Sequence, residues 1–304
     1  MDPIHIRSIF RSALGETEKL LYALSDGNVI EGVLLHYPHG DALCVSTQVG
    51  CRMNCSFCAS TLGGKVRDLT PGEMLGQIQE ANRLIGTHDT LRGVRNVVLM
   101  GSGEPFDNYE NVVAFLRGAN DPAGLNLSFR NISLSTCGLV NRIYDFIEEK
   151  LPVTLCLSLH APNDEIRRKI MPVANAYSFE EILAACNAYS DETGRKTIFE
   201  YTLIRDLNSD VCHAEELSRR LRGMNCHVNL IPLNEVKESH LKAPLPEAVQ
   251  AFREALRREG ISVTVRHRMG ADVDGACGQL RRQFIQENSS QFEPGSYKTL
   301  PDEP

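Results

Sequence analysis

"VTLCLSLH", residues 153–160, alternates without interruption: Val153, Leu155, Leu157 and Leu159 fall on one side of an extended chain, and Thr154, Cys156, Ser158 and His160 on the other. "NISLST" (131–136) repeats the pattern, with Ile132 and Leu134 opposed to Ser133 and Ser135. A strand buried between two helical layers would be apolar on both faces. One polar face therefore predicts a curved sheet with helices outside and a small-molecule site inside. That is an α/β chain folded as an incomplete (β/α) barrel, whose ligands gather at the C-terminal ends of the strands.

The rest of the chain fits around that strand. From residue 41 onward, β-branched runs alternate with amphipathic stretches, as in repeated βα units. Further strands are expected at "ALCVST" (42–47), "RNVVLM" (95–100), "TIFEYTLI" (197–204), "HVNLIPL" (227–233) and "ISVTVRH" (261–267). Helices are expected over 71–85, 108–119, 139–149, 178–191, 213–222 and 246–259, with Thr70-Pro71-Gly72-Glu73 and Leu245-Pro246 as start signals. Residues 18–37 read as a β-hairpin turning through Ser25-Asp26-Gly27-Asn28. The expected organisation is a short accessory segment with that hairpin (1–40), the barrel (41–285) and a polar, disordered tail (286–304).

With 304 residues, 42% apolar and 23% charged, the chain can bury a large core without disulfides. Neither a signal peptide nor an apolar run of membrane-spanning length is visible, so a cytoplasmic location without membrane association is expected. In a reducing compartment its ten cysteines read as ligands, catalysts or small core residues. A net charge of −7 argues against a nonspecific polyanion binder, although "LSRRLR" (217–222), "FREALRREG" (252–260), "VRHR" (265–268) and "LRRQ" (280–283) offer a local basic face.

Four of those cysteines crowd into "CVSTQVGCRMNCSFC" (44–58). Iron–sulfur clusters commonly take four thiolates, so the C-x3-C-x2-C loop of Cys51, Cys55 and Cys58 leaves one iron without a local protein ligand. A zinc site in its common forms pairs two C-x2-C knuckles or uses His, and this loop has one such pair plus an extra Cys. The loop resembles the signature of the radical S-adenosylmethionine (SAM) enzymes, in which the open iron of a 4Fe–4S cluster binds SAM and an electron cleaves it to a 5′-deoxyadenosyl radical. "MGSGEPFDN" (100–108) follows a strand and resembles that superfamily's SAM-holding segment, through Gly103 and Glu104. The resemblance implies a partial (β/α)6 barrel of the radical SAM type with a small N-terminal β-hairpin extension.

A finer resemblance covers residues 28–285. "LCVSTQVGC", "FCASTLGG", "MGSGEPFDNY", "SLSTCGLV", "LSLHAPNDEIRRKIMP", "HVNLIPLN" and "GADVDGACGQL" are similar to the RlmN/Cfr family of adenosine methyltransferases, and closest to its RlmN branch. Adenine C2 is electron-poor and does not displace the methyl of SAM, whereas a thiolate does. The resemblance implies that Cys277 takes a methyl from one SAM, and that a second SAM supplies the radical that activates it. The carbon then adds to adenine, Glu31 accepts the C2 proton, and Cys44 attacks Cys277 to release the product and form a Cys44–Cys277 disulfide. Read from its sequence position alone, Glu31 would be a solvated hairpin carboxylate. The implied SAM contacts are Gly103, Glu104, Ser135, Ser158, Leu159, His160 and Asn234. Cys137, Cys156, Cys186, Cys212 and Cys226 lack motif spacing and read mostly as buried spectators.

The implied substrate is adenosine 2503 of 23S rRNA, with adenosine 37 of tRNA as a second candidate. An electron donor such as flavodoxin or ferredoxin and a monomeric state are also expected. The family usually begins with an N-terminal helical domain that helps hold RNA, most of which this chain is expected to lack. Two rivals remain: C8 methylation of the same adenosine, and a noncatalytic iron–sulfur or zinc RNA-binding protein.

Overall fold

The computed structural model of the chain describes residues 4–86, 93–235 and 240–266. These divide into two compact units, one of residues 4–52 and 59–132, the other of 53–58 and 133–266. The expected disordered tail, the segment around Cys277 and the basic run 280–283 lie outside the described residues.

The first unit opens with an antiparallel meander. β1 (Ile4–Arg11) pairs with β2 (Thr17–Leu24), which pairs with β3 (Val29–Leu35), and β3 pairs with β4 (Asp41–Cys44). The expected hairpin is β2–β3. Its turn is fixed by Asp26, whose carboxylate accepts from the backbone and side chain of Asn28, and by Gly27 at φ 83°. β1 was not foreseen. Its exposure alternates along most of its length, and it gains its place by packing on α1 (Pro71–Ile85), where Glu80 accepts from the Ile6 amide at 3.2 Å. β4 then pairs in parallel with β7 (Val94–Leu99), with α1 as the crossover and α2 (Tyr109–Asn120) following. The start of α1 carries the full reciprocal cap: Thr70 accepts from the Glu73 amide and Glu73 accepts from that of Thr70. A separate two-stranded ribbon joins β5 (Gln48–Gly50) to β6 (Lys65–Asp68).

The second unit is a parallel sheet in chain order: β8 (Ile132–Thr136), β9 (Thr154–Ser158), β10 (Thr197–Leu203), β11 (Cys226–Pro232) and β12 (Val263–Val265). Its crossovers carry α3 (Val140–Glu148), α4 (Asp164–Ile170), α5 (Phe179–Thr193), α6 (Val211–Leu221) and α7 (Pro246–Arg258). The six expected helices fall within two residues of their predicted ends. The short α4 was missed, although Asn163 caps it by accepting from the Ile166 amide at 3.0 Å. Val153, Leu155, Leu157 and Leu159 are all fully buried, as the apolar face of the opening stretch required. No described helix is long and apolar enough to cross a membrane.

Candidate active site

In the first unit the loops after β4 and β7 are knitted into one scaffold. Val45 donates to the Val98 carbonyl and accepts from the Gly101 amide, each at 3.0 Å, and the Thr47 amide reaches Ser102 O at 2.9 Å. Gln77, buried on α1, holds Ser46 from both sides, donating to its carbonyl and accepting from its amide at 2.9 Å each. Gly103 sits at φ 114°, and a Cβ there would lie 2.6 Å from Thr47 Oγ1 and 2.7 Å from Gln48 Cβ. Only glycine fits so strained and crowded a point. The Glu104 amide donates to Gln48 Oε1 at 2.9 Å, while its buried carboxylate accepts from the Phe106 amide at 3.0 Å and caps the following 3-10 turn.

Asp107 closes the same loop. It accepts from Gln48 Nε2 (2.9 Å), Lys65 Nζ (3.0 Å) and the Arg52 guanidinium. Burial works to raise its pKa, but the bonds from Gln48, Arg52 and Lys65 outweigh it and hold the carboxyl below its ordinary range. Arg52 adjoins Cys51, so this carboxylate steadies the entry to the cysteine loop. The base of that loop is closed by Gly50, where a Cβ would meet Gly64 O at 1.9 Å, and by the Cys51 amide donating to the same carbonyl at 3.0 Å.

Glu31 is not the solvated carboxylate its sequence position suggested: it is 2% exposed on β3. In the antiparallel β3–β4 pair Val33 faces Cys44, so Glu31, two residues along, projects from the same sheet face as the Cys44 thiol. Cys44 is itself 4% exposed. Ser46, two residues past Cys44, donates its hydroxyl to the Glu31 carbonyl at 2.7 Å, locking the two strands at this level.

The second unit holds Cys55 and Cys58. The Cys58 amide donates to Cys55 O at 3.1 Å, and the Ser56 amide donates to Ile170 O at 2.9 Å at the end of α4. Cys55 and Phe57 pack against a buried apolar group of Cys137, Ile170, Met171, Ile204 and Leu233. Phe57 also meets the His160 ring edge-on at 4.7 Å. None of the nine described cysteines is joined in a disulfide to another of them; Cys137, Cys156, Cys186 and Cys226 are buried as expected, and Cys212 is exposed.

The polar faces of β8 and β9 carry the remaining expected residues. Ser135 and Ser158 lie 3.4 Å apart by their hydroxyls, and Ser135 donates to Glu200 Oε2 at 3.2 Å. The register sets Glu200 beside both Ser158 and Asn229, which makes a continuous polar row across β9, β10 and β11. Burial pushes the Glu200 carboxyl up, with Arg266, Ser135 and Asn229 opposing. The Leu159 and His160 amides both donate to Glu200 O, at 3.0 and 3.1 Å. His160 is 4% exposed and adopts φ 57°; its Nδ1 accepts from the Thr202 amide at 2.9 Å, which puts the neutral ring's proton on Nε2. Burial, with the nearby Arg167 cation, lowers its pKa to about 3. Asn234 is exposed just past β11. Cys277 lies outside the described residues.

Sequence reasoning passed over Gln48, Gln77, Asp107, Arg167 and Glu200. Asp107 stood inside the quoted "MGSGEPFDN", and Glu200 stood on the same side of the "TIFEYTLI" alternation as Ile198, which disguised it.

The radical SAM superfamily pattern matches residues 45–218. The chain is 52% identical to the probable dual-specificity RNA methyltransferase RlmN of Clostridium acetobutylicum over 91% of its own length and 79% of that protein's. It is 50% identical to the corresponding RlmN of Lachnospira eligens over 94% of this chain and 80% of the relative. The chain belongs to the RlmN family of radical SAM enzymes. A crystal structure of a radical SAM methyltransferase from Sphaerobacter thermophilus superposes with TM-score 0.87 at 43% identity, covering 92% of this chain and 81% of the other. Membership brings with it the superfamily's partial barrel, a 4Fe–4S cluster and SAM. The residues present fit that cluster. An RlmN-family chain needs three thiolates from one short loop; Cys51, Cys55 and Cys58 supply them without a disulfide, and Cys55 is backed by an apolar shell.

Proposed function

We propose that this chain methylates C2 of adenosine in RNA: adenosine 2503 of 23S rRNA, and adenosine 37 of tRNA as a second substrate. Two SAM molecules are used per turnover. Cys51, Cys55 and Cys58 hold the cluster, while Gly103, Glu104, Ser135, Ser158, Leu159, His160 and Asn234 bind SAM. When bound, the cluster and SAM supply a hydrogen-abstracting radical and the methyl group. Cys277 carries the methyl to the base as a thioether. Glu31 accepts the C2 proton and one electron leaves the adduct for the protein's redox chain; the Cys44 thiolate then attacks the Cys277 sulfur, the disulfide forms, and the released C–S electron pair takes a proton to complete the methyl group. Flavodoxin or ferredoxin fits as electron source, and the protein works as a cytoplasmic monomer.

Relatives about 50% identical over more than nine-tenths of the chain, all bearing the RlmN name, support the reading. The observation that carries it is the pairing of a buried Glu31 with Cys44 on one face of β3–β4, since a cluster-bearing RNA binder without turnover needs neither. The deciding variant is Cys277→Ala in an anaerobic reaction with SAM, reductant and a protein-free 23S fragment. Methylated adenosine should disappear while the iron content stays at the wild-type level. An unchanged product yield would sink the mechanism, and zinc in place of iron would sink the cofactor assignment.

A further inference from the structure

Arg167 is the largest fully buried side chain of the described residues, at 0% exposure. It belongs to α4 and reaches back to the ends of two strands. Nε donates to Leu159 O at 3.2 Å, and Nη2 donates to Cys137 O at 2.6 Å and Ser158 O at 3.3 Å. Nη1 is buried with no hydrogen-bond acceptor among the described residues. None of the described carboxylates forms an ion pair with it; the acids on its own helix turn elsewhere, Asp164 to the Phe179 amide and Arg168, Glu165 to Lys169. A guanidinium keeps its charge at any physiological pH. Enclosing one without a directly bonded carboxylate is costly, and an anion held nearby would reduce that cost.

The cysteine loop points to that anion. The Ser56 amide is tied to Ile170 O, one helical turn past Arg167, at 2.9 Å. Cys55 packs on the same Cys137–Ile170 apolar group that Arg167 borders through its bond to Cys137 O. The groups favouring the guanidinium's charge against the burial that opposes it are Cys137, Cys55, Asp164 and Cys186, so the Cys55 ligand position stands within its electrostatic reach. Helix α4 therefore carries one cation that both ties the strand ends at Ser158 and Leu159 and lies beside the Cys55 ligand loop.

We propose that Arg167 is a positioning residue whose buried charge, set beside the Cys55 loop by the three-carbonyl clamp, favours the reduced form of the cluster and raises its midpoint potential. This rests on the reading that Cys51, Cys55 and Cys58 hold the cluster. Three thiolates give the assembly a net negative charge that increases by one on reduction, and a nearby desolvated cation stabilises the more negative state. Aromatic and aliphatic neighbours such as Phe57, Ile170 and Met171 exclude water, so the field is weakly screened.

The test is an anaerobic, EPR-monitored redox titration of the reconstituted full chain, comparing wild type with Arg167→Lys and Arg167→Gln at matched iron content. Lys keeps the charge and loses the forked clamp; Gln keeps an amide donor and loses the charge. The expected result is a midpoint clearly more negative in Arg167→Gln and unmoved in Arg167→Lys. A wild-type midpoint in Arg167→Gln overturns the proposal, as does an equal shift in both variants, which would mark a purely structural role. If Arg167→Gln loses iron or fails to fold, Arg167→Leu, which fills the apolar surroundings without charge, is titrated in its place: a midpoint more negative than in wild type and Arg167→Lys upholds the charge assignment, and a wild-type midpoint or an equal shift in Arg167→Lys overturns it. A wild type that binds no iron would instead fail the underlying cluster reading.

Discussion

His160 makes the fold of the second unit sensitive to acid, and the size of the effect follows from its surroundings. The ring is enclosed, its Nδ1 is engaged by the Thr202 amide, and the Arg167 guanidinium opposes a second positive charge. Its pKa falls from the ordinary 6.5 to about 3 in the fold. Below pH 6.5 the unfolded chain gains a proton that the folded ring refuses, so stability falls with falling pH until the folded value is reached. At about 1.4 kcal/mol per pH unit, the interval from 6.5 down to about 3 amounts to roughly 5 kcal/mol, with about 2 kcal/mol already lost at pH 5. His160→Asn isolates this contribution. Asn offers an acceptor oxygen near the Nδ1 position, tolerates the left-handed backbone at φ 57° and does not titrate. Urea unfolding of both cluster-free proteins, followed by far-UV circular dichroism at pH 7 and pH 5, should show the wild type losing about 2 kcal/mol more than His160→Asn. Parallel losses in the two proteins would refute the assignment of a neutral, enclosed imidazole.

Two other perturbations act on the scaffold of the site. Gly103→Ala places a methyl 2.6 Å from Thr47 Oγ1 at φ 114° and should destabilise the cluster-free protein by about 2 kcal/mol or more while weakening SAM binding; wild-type urea midpoint and SAM affinity together would contradict it. Glu200→Gln removes a carboxyl whose pKa is raised in the fold, chiefly by burial. The wild type binds the proton more readily folded than unfolded, so its stability should fall relative to the variant as pH rises above 4.5. A stability difference independent of pH between 4 and 8 would show that the carboxylate pays no desolvation cost there.

The local signals that survived into the structure are those that tertiary contacts had no reason to override. Alternation in "VTLCLSLH" and "NISLST" located β9 and β8, and the Thr70 and Leu245-Pro246 starts located α1 and α7. The cysteine spacing and the loop after β7 carried the cofactor chemistry because ligand sets are local in sequence. What stayed hidden was set by long-range partners. β1 holds no strand signal stronger than its neighbours and is fixed by α1, seventy residues away in the chain. Arg167 reads in "NDEIRRKI" as one more helix-face cation, and only the packing of α4 on the ends of β8 and β9 turns it inward. Glu31 looked solvated because a hairpin carboxylate usually is; in the fold β3 is an inner strand between β2 and β4, and Glu31 is buried.

The identity of the methylated nucleoside separates C2 from C8 methylation and both from a protein without turnover. Anaerobically reconstituted protein, given SAM, reductant and either a protein-free 23S fragment or tRNA, should yield 2-methyladenosine when the digested nucleosides are resolved by mass spectrometry against 2-methyl- and 8-methyladenosine standards. Detection of 8-methyladenosine instead, or of neither nucleoside while SAM is consumed, would contradict the account.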